Sequence, residues 1–345
     1  MRAMEGAPSQ GCMIMAEPLL EVRSLVKHFD VVQRGIVSRK KTGVVHAVDG
    51  VDFHINHGET LALVGESGCG KTTAAKVVLY LEDPTGGQVK FDGVDVFQTF
   101  KTGDKAARLK LRRSMQMVFQ NPYGSLDPRM TIYDIISEAF LIHKHIPKDE
   151  WKDRVYEVLK MVNLEEYHAE RYPHEFSGGQ RQRISIARAL AVEPSFIICD
   201  EPVSSLDVSI RAQILNLLAD LQKEQGISYL YISHDLSSVR QFSHRVAVMY
   251  LGEIVEHANT DDLFTKKLHP YTQALVAAVP IPDVDKKIMR IILPGEVPSP
   301  INPPGGCRFH PRCPYATELC KQKEPKLEEY LKGHFAACHY AAKFT

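Results

Sequence analysis

The sequence predicts an α/β fold in which helices cover a mostly parallel β-sheet. Three observations predict it. Short apolar runs alternate with helical stretches, at 60–64, 115–119, 196–199 and 229–233. The first of these runs leads directly into a glycine-rich loop, as a buried strand of such a sheet does. Apolar residues make up 44% and charged residues 24% of the 345 residues, which suffices for a sizeable core.

The N-terminal part predicts two strands joined by a loop. Residues 20–29 and 45–55 have strand-like patterns, and His57 and Gly58 predict a turn after the second strand. Residues 30–44 are polar and basic and predict an inserted loop between the strands. The start of the chain lacks a basic segment followed by a long apolar stretch, so we expect a disordered tail there and no secretory signal.

The bulk composition disfavours several classes of protein. Lys+Arg and Asp+Glu both number 42, so the net charge is zero, whereas a dedicated nucleic-acid binder usually has a basic excess. The sequence has no run of 18 apolar residues, so we expect no segment that spans a membrane by itself. Seven unevenly placed cysteines do not suit a secreted disulfide scaffold, and a reducing cytoplasm fits them best.

A phosphate-binding loop is predicted after the first buried strand. Glycines let backbone N–H groups curl around phosphate oxygens, and the helix that follows directs its positive dipole end at the anion. Lys71 is placed to reach the β- and γ-phosphates, and Thr72 to ligate Mg²⁺. The residues that match the pattern GxxxxGK[ST], with the threonine that follows, are Gly65, Glu66, Ser67, Gly68, Cys69, Gly70, Lys71, Thr72 and Thr73.

Two carboxylates end a later apolar strand, at residues 195–201. Asp200 fits a ligand of Mg²⁺, directly or through water. Glu201 fits a general base that orients water for attack on a γ-phosphate. Together with the phosphate loop, this pair predicts a site that binds and hydrolyses ATP.

The stretch YPHEFSGGQRQRISIARAL at 172–190 points to one family. Its residues Ser177, Gly178, Gly179 and Gln180 resemble the signature of the ABC-transporter ATPases. The resemblance implies a P-loop NTPase core with a mostly parallel sheet, an antiparallel β part and a helical subdomain. It also implies that the signature completes the ATP site of a second, homologous subunit, because its glycines and serine at a helix start form another anion site.

The resemblance assigns roles to further residues. Gln120 is similar to the glutamine that contacts Mg²⁺ and the attacking water, and His234 to the histidine that contacts the γ-phosphate. Residues 204–207 resemble the loop that bridges the two subunits. Phe29 stands where the family places an aromatic ring against adenine, with an ordinary core phenylalanine as the alternative. The implied catalytic set is Glu201, His234, Gln120 and Lys71, and the implied Mg²⁺ ligands are Thr72, Gln120 and Asp200.

The predicted domain boundaries follow from pattern and resemblance. We expect a tail over 1–18 and an ATPase domain over 19–280. Residues 131–165 look helical with Pro147 as a break, within a helical subdomain at about 121–190. Prolines crowd after residue 280, so 281–345 is expected to be a small C-terminal tail domain that contains cysteines.

The branch of the family is indicated by four segments. These are 172–190, the insertion 30–44, the run LHPYTQAL at 268–275 and GCRFHPRCPYA at 306–316, all similar to oligopeptide/dipeptide importer ATPases of the second-ATPase type. The resemblance implies a heterodimer with a homologous ATPase, with a homodimer as the alternative. It also implies two transmembrane permease subunits, an extracytoplasmic solute-binding protein and a place on the cytoplasmic face of the membrane. The alternatives are the same role for nickel or an oligosaccharide, or a soluble ABC ATPase that acts on DNA or ribosomes.

Four cysteines near the C-terminus form a candidate metal site: Cys307, Cys313, Cys320 and Cys338. Clustered thiols in a cytoplasmic protein suit zinc or an iron–sulfur cluster, but this spacing matches neither the usual zinc pairs nor the ferredoxin runs. The resemblance implies a [4Fe–4S] cluster. The alternatives are a Zn²⁺ site that includes one of His310, His334 and His339, or free thiols.

Overall fold

The structure, a computed structural model, describes residues 17–34, 39–278 and 293–345. The strands of these ranges are β1 (Leu20–Arg34), β2 (Arg39–Ile55), β3 (Thr60–Val64), β4 (Gly86–Phe91), β5 (Val94–Asp95), β6 (Met115–Val118), β7 (Phe196–Asp200), β8 (Ser228–Ser233), β9 (Arg245–Tyr250), β10 (Glu253–Asn259), β11 (Glu328–Leu331) and β12 (His334–Ala336).

The α-helices cover both faces of the larger sheet. They are α1 (Lys71–Val78), α2 (Val96–Thr102), α3 (Lys105–Ser114), α4 (Pro122–Ser125), α5 (Ile132–His143), α6 (Trp151–Met161), α7 (Gly178–Leu190), α8 (Val208–Gln225), α9 (Leu236–Phe242), α10 (Thr260–Thr265), α11 (Pro270–Ala277) and α12 (Glu318–Gln322). Within the described ranges, no helix has the length and apolarity needed to cross a bilayer.

The larger sheet has eight strands in the order β11-β12-β10-β9-β3-β8-β7-β6. Strands β3, β6, β7, β8 and β9 are parallel, and β10 joins β9 antiparallel. Every residue of β3, β7 and β8 is buried, as expected of parallel strands that are covered on both faces. Successive side chains of β3 point to opposite faces of the sheet. Leu61 and Leu63 therefore pack in one apolar cluster, and Ala62 and Val64 pack in another. The predicted α/β fold with a mostly parallel sheet is confirmed.

The second sheet is antiparallel, in the order β2-β1-β4-β5, and corrects one prediction. Residues 30–44 were expected to form an inserted loop. Instead β1 and β2 pair from Leu20↔Ile55 out to Arg34↔Arg39, so most of this segment is the outer part of a long hairpin. Its β-branched residues, such as Val31 and Val44, favour strand conformation although the segment is polar and basic overall.

Helices α4 to α7 lie in the region predicted to be helical. The expected helical stretch 131–165 contains α5 and α6, with the break near Pro147 between them. Helix α5 begins at a capping box, since the Thr131 hydroxyl accepts from the Asp134 N–H at 3.2 Å and the Asp134 carboxylate accepts from the Thr131 N–H at 3.4 Å. The reciprocal bonds satisfy backbone donors that a helix start leaves open.

The C-terminal segment continues the larger sheet. Strand β12 pairs antiparallel with β10 through Glu256↔Ala336 and His257↔Phe335, and β11 pairs with β12. The backbone N–H of His46 also donates to Pro300 O at 3.0 Å, which brings this segment against β2. The predicted boundary near residue 280 and the tail residues 1–16 lie outside the described residues.

Candidate active site

A cavity of about 590 Å³ opens between the phosphate loop and the hairpin of β1 and β2. Apart from Pro300, its lining residues come from the hairpin of the smaller sheet and from the loops and helix that follow strands of the larger sheet, which the chain order alone does not bring together. The predicted residues that line it are Phe29, Ser67, Gly68, Gly70, Lys71, Thr72, Thr73, Gln120, Glu201 and His234. Sequence reasoning missed Val45, Ala47 and Pro300, small or apolar residues of the same wall that no motif marks.

The phosphate loop joins β3 to α1 and closes around the lysine. Gly70 has a φ of 113°, and a Cβ at this position would lie 2.0 Å from the Ala47 carbonyl oxygen, so only glycine fits. The ammonium of Lys71 is buried and donates to Gly65 O at 2.8 Å and to Glu66 O at 3.0 Å. The loop therefore holds a positive charge at the start of a helix, which suits an anionic ligand. The predicted loop residues Gly65, Glu66 and Cys69 lie behind this wall and do not line the cavity.

Asp200 ends β7 beside the loop. The hydroxyl of Thr72 donates to its Oδ1 at 3.1 Å. Burial raises the pKa of Asp200, and the bond from Thr72 opposes that shift. A buried carboxylate next to a hydroxyl is an arrangement of hard oxygen donors, which fits a divalent cation such as Mg²⁺.

Three predicted catalytic residues meet at one oxygen atom. The Oε2 of Glu201 accepts from Gln120 Nε2 at 2.9 Å and lies 3.1 Å from His234 Nδ1. Glu201 has a φ of 46°, in the left-handed region that non-glycine residues seldom adopt, and its N–H donates to Ile232 O at 2.9 Å. Such a backbone is often found where a side chain must be aimed at a reaction. The carboxylate faces the cavity and is placed to orient and deprotonate a water molecule.

Phe29, on β1, also lines the cavity. Its side chain is 37% exposed, and the Lys27 ammonium lies 4.5 Å from its ring centroid. It pairs across the hairpin with Val45, which lines the same cavity. An exposed ring in the cavity wall suits a stacking partner for a flat base, and the alternative of a core phenylalanine does not fit the exposure.

The signature residues form the start of α7 and do not line the cavity. Ser177 Oγ accepts from the Gln180 N–H at 3.3 Å, and Gln180 Oε1 accepts from the Ser177 N–H at 3.0 Å, which makes a capping box. Ser177 and Gly178 are exposed. Gly179 is buried, and a Cβ there would lie 2.5 Å from Ile210 Cγ2 on α8. The start of α7 is thus an exposed helix N-terminus, a position that suits an anion, and it lies outside this chain's own cavity.

The loop 204–207 connects the carboxylate to α8. Ser204 Oγ donates to Glu201 O at 3.1 Å, and Asp207 caps α8 by accepting from the Ile210 N–H at 3.0 Å. Arg211 donates to Leu206 O at 3.3 Å and pairs with Asp235 at 2.7 Å. Since Asp235 follows His234, this arginine ties the loop to the turn that carries the histidine.

The four C-terminal cysteines surround a second, much smaller cavity. Its volume is about 10 Å³, which is about the space of one water molecule. Burial raises the pKa of Cys307 to about 12 and that of Cys338 to about 11, and the neighbouring cysteines act in the same direction. His334, named for a mixed zinc site, instead places its Nε2 2.8 Å from the buried Glu256 carboxylate.

One other cluster has its ligand atoms close together. Within the described ranges, the group of three or more His, Cys, Asp or Glu whose ligand atoms all lie within 4.8 Å is His28, His46 and Asp49. The Asp49 carboxylate accepts from both imidazoles at 3.0 and 2.9 Å and also from Arg308. The Arg308 bond and those from both imidazoles outweigh burial and lower the pKa of Asp49 to about 2. These bonds join the hairpin of β1 and β2 to Arg308 of the C-terminal segment.

Comparisons with known proteins match two parts of the chain to transporter families. Residues 48–204 match the family ABC transporter, and residues 255–320 match the oligopeptide/dipeptide transporter C-terminal region. The oligopeptide transport ATP-binding protein AppF of Bacillus subtilis (strain 168) is 49% identical over 94% of this chain and 97% of its own length. A probable peptide ABC transporter ATP-binding protein, y4tS of Sinorhizobium fredii (strain NBRC 101917 / NGR234), is 49% identical over 95% of this chain and 91% of its own.

Solved structures confirm the fold. The protein cbiO1 of Clostridium perfringens, part of the ABC transporter complex cbiONQ, has a TM-score of 0.60 and 29% identity over 72% of this chain and 92% of its own. The ATP-binding cassette MJ0796, solved as a dimer in a post-hydrolysis state with ADP and Pi, has a TM-score of 0.60 and 29% identity over 70% of this chain and 98% of its own.

The predicted iron–sulfur cluster is wrong. The relatives are named for ATP binding and transport alone, with no cluster. The matched C-terminal region ends at residue 320, so Cys338 lies beyond it. Among the described residues the four cysteines form no disulfide, and the space between them is about 10 Å³.

The remaining matches agree with the geometry of the cavity. The family match covers the phosphate loop, Gln120, the signature residues and Glu201, and the solved cassettes share the arrangement of sheets and helices. An identity of 49% over 94% of the chain shows that the chain and this relative belong to the same family. The chain therefore belongs to the ABC transporter family and is an ABC-type ATPase that carries the oligopeptide/dipeptide transporter C-terminal region.

Proposed function

We propose that this chain is the ATP-hydrolysing subunit of an ABC importer that takes up peptides across the cytoplasmic membrane. One observation carries the enzymatic part of the proposal. The Glu201 carboxylate, held by Gln120 and placed beside His234, lies in the same cavity as the Lys71 loop. A base, two polar groups and a phosphate cradle in one cavity support hydrolysis of a nucleoside triphosphate.

The motif residues in and beside the cavity have proposed roles. Lys71 and the loop N–H groups bind the β- and γ-phosphates. Thr72, Asp200 and Gln120 would hold Mg²⁺, which would neutralise charge on the phosphate oxygens. Glu201 takes a proton from the attacking water.

Two further contacts belong to the same proposal. Gln120 and His234 hold the Glu201 carboxylate and respond to the γ-phosphate. Phe29 stacks on the adenine, since its exposed ring lines the cavity.

A second ATPase chain is part of the proposal. Ser177 and Gly178 are exposed at the start of α7 and do not line this chain's cavity, which supports a role in the site of a partner. The related cassette MJ0796 has been solved as a dimer with ADP and Pi. ATP would then bind between two chains, and loss of the γ-phosphate would release them, which is a ligand-driven shift between two states.

The other partners follow from the family. We propose a homologous ATPase as the second chain, two transmembrane permease subunits and an extracytoplasmic solute-binding protein, with this chain peripheral on the cytoplasmic face. The proposal includes no nucleic-acid partner, in line with the net charge of zero. It retains the division into a tail over 1–18, an ATPase domain over 19–280 with a helical subdomain at about 121–190, and a C-terminal region over 281–345.

Peptide uptake is supported by the C-terminal match at 255–320 and by relatives named for peptide transport. The test is ATP hydrolysis by the reconstituted transporter with its solute-binding protein. We expect stimulation by the binding protein loaded with dipeptide or oligopeptide, and none with nickel or an oligosaccharide. If only nickel or an oligosaccharide stimulates ATP hydrolysis, that solute replaces peptide as the proposed substrate, and the ATPase role still stands.

A further inference from the structure

The C-terminal segment contacts the phosphate loop through hydrogen bonds from Arg312 to Glu66. Arg312, in the short 3₁₀ helix His310–Arg312, donates from Nη1 to Glu66 Oε2 at 2.8 Å and from Nη2 to Glu66 Oε1 at 3.1 Å. The arginine side chain is 8% exposed and that of the glutamate 29%. Two parallel charge-assisted bonds fix the orientation of both groups, which a single point contact does not do.

The backbone of Glu66 is held from the same direction. Its N–H donates to the hydroxyl of Tyr271, on α11, at 2.8 Å. The ring of Tyr271 packs against Phe309, with ring centroids 5.5 Å apart, and Phe309 also packs against Tyr250 at 5.2 Å. Since Phe309 is 1% exposed and lies three residues before Arg312, the arginine projects from a segment that is anchored in the core.

Glu66 connects these contacts of Arg312 and Tyr271 to the phosphate-binding lysine. Its carbonyl oxygen accepts from Lys71 Nζ at 3.0 Å, and the next residue, Ser67, lines the cavity. Without Arg312, the loop would carry an uncompensated carboxylate one residue from the place where a polyanionic nucleotide binds. The hydrogen bonds to the Glu66 carboxylate raise the pKa of Arg312 further above its usual range, so the guanidinium stays charged.

We propose that Arg312 is a positioning residue of the nucleotide site: through its bidentate bond to Glu66 it fixes the phosphate loop and neutralises the loop's carboxylate. The C-terminal region thereby becomes part of the machinery that binds ATP, although it lies 246 residues from the loop. This inference rests on the proposed nucleotide site and adds a residue to it that touches no nucleotide.

The test measures binding of fluorescent ATP and ADP analogues to the full-length chain. We expect Arg312→Gln to weaken ATP binding about tenfold and ADP binding less, because an unpaired carboxylate repels the more highly charged nucleotide more strongly. The double variant Glu66→Gln/Arg312→Gln carries neither charge, and we expect its ATP affinity to lie within about threefold of wild type.

This rescue separates the charge of Arg312 from a purely structural role, whereas Arg312→Lys tests positioning by the bidentate bond. If the double variant binds ATP as weakly as Arg312→Gln, or if Arg312→Gln binds ATP like wild type, the inference is overturned. Should Arg312→Gln not fold, Arg312→Lys keeps the charge and loses the fork. We then expect ATP affinity reduced about threefold, and wild-type affinity would refute the positioning role.

Two controls complete the design. Arg308→Gln removes another buried arginine of the same segment, which contacts Asp49, Glu253 and Leu251 O but not the phosphate loop. We expect wild-type ATP affinity, and a loss equal to that of Arg312→Gln would mean that docking of the segment alone matters. Lys71→Ala tests the site itself: if this variant still binds ATP like wild type, the proposed nucleotide site fails whatever Arg312 does.

Discussion

The Nε2 atom of Gln120 donates to the Oε2 atom of Glu201 at 2.9 Å, although 81 positions separate the two residues. Gln120 follows β6 and Glu201 follows β7, and these strands are parallel neighbours in the larger sheet. The carboxyl ends of parallel strands meet at one edge, where ligands of open α/β sheets bind. The bond thus holds the proposed base in place before any nucleotide arrives.

Replacing Glu201 by Gln should stop turnover and keep ATP bound. We expect phosphate release to fall by about 10²–10⁴-fold, because the amide cannot take a proton from water, while ATP affinity stays near wild type. A matched control is Glu193→Gln: Glu193 also has a left-handed backbone, with a φ of 54°, but it is exposed and does not line the cavity. Sustained hydrolysis by Glu201→Gln would refute the assignment of the base.

Replacing Phe29 by Ala should weaken ATP and ADP binding to a similar extent. Stacking of a base on an aromatic ring contributes about 1–3 kcal/mol, so we expect roughly a tenfold loss of affinity for both nucleotides. Fluorescence titration checks this, and Phe29→Trp should restore binding. Unchanged affinity of Phe29→Ala would show that the exposed ring does not contact the base.

Two neighbouring glycines of the signature should respond differently to Ala. The Cβ of Gly179→Ala would lie 2.5 Å from Ile210 Cγ2, a branched side chain with little freedom, so we expect the free energy of unfolding to fall by about 1–3 kcal/mol. The Cβ of Gly178→Ala would meet Leu206 Cδ2 at 3.5 Å, an ordinary contact, and stability should stay near wild type. Chemical denaturation measures both, and equal stabilities would contradict the packing of α7 on α8.

Acid should destabilise the fold through His269. Its Nδ1 accepts from the Tyr271 N–H at 3.1 Å, and burial lowers its pKa to about 4, against a small opposing effect of Glu256. The folded state therefore resists protonation, so the stability that the neutral ring provides is complete above pH 6.5 and is lost as pH falls towards 4.

The size of this loss can be measured by substitution. From the shift we expect His269 to account for roughly 3 kcal/mol between pH 6.5 and 4. His269→Asn keeps an oxygen that accepts at the start of α11 and removes the titrating ring, so its unfolding free energy should fall less over this range. Parallel pH curves for the variant and wild type would contradict the role of His269.

The sequence could place the proposed catalytic residues together because each follows an apolar strand. The strand order β3-β8-β7-β6 places the loop after β3, His234 after β8, Glu201 after β7 and Gln120 after β6 along one edge. Local patterns mark such strands, and parallel pairing brings their ends together without further information. The resemblance then supplied the role of each side chain.

Other features depended on contacts that no local pattern shows. The segment 30–44 has the composition of a loop, yet pairing between β1 and β2 makes most of it a hairpin. The bond from Arg312 to Glu66 joins residues 246 positions apart, so neither sequence neighbourhood indicates the other. The four cysteines were given a cluster by resemblance alone, and the names of the relatives, which refer to ATP binding and transport, do not support it.

The central claim is that this chain hydrolyses ATP as part of a membrane importer. The most direct test is to purify the tagged Glu201→Gln variant from detergent-solubilised native membranes in the presence of ATP, then identify the retained nucleotide and the chains that accompany it. We predict ATP rather than ADP, with two integral membrane subunits and a homologous ATPase. Recovery of ADP, or of a soluble complex with nucleic acid or ribosomes, would contradict the account.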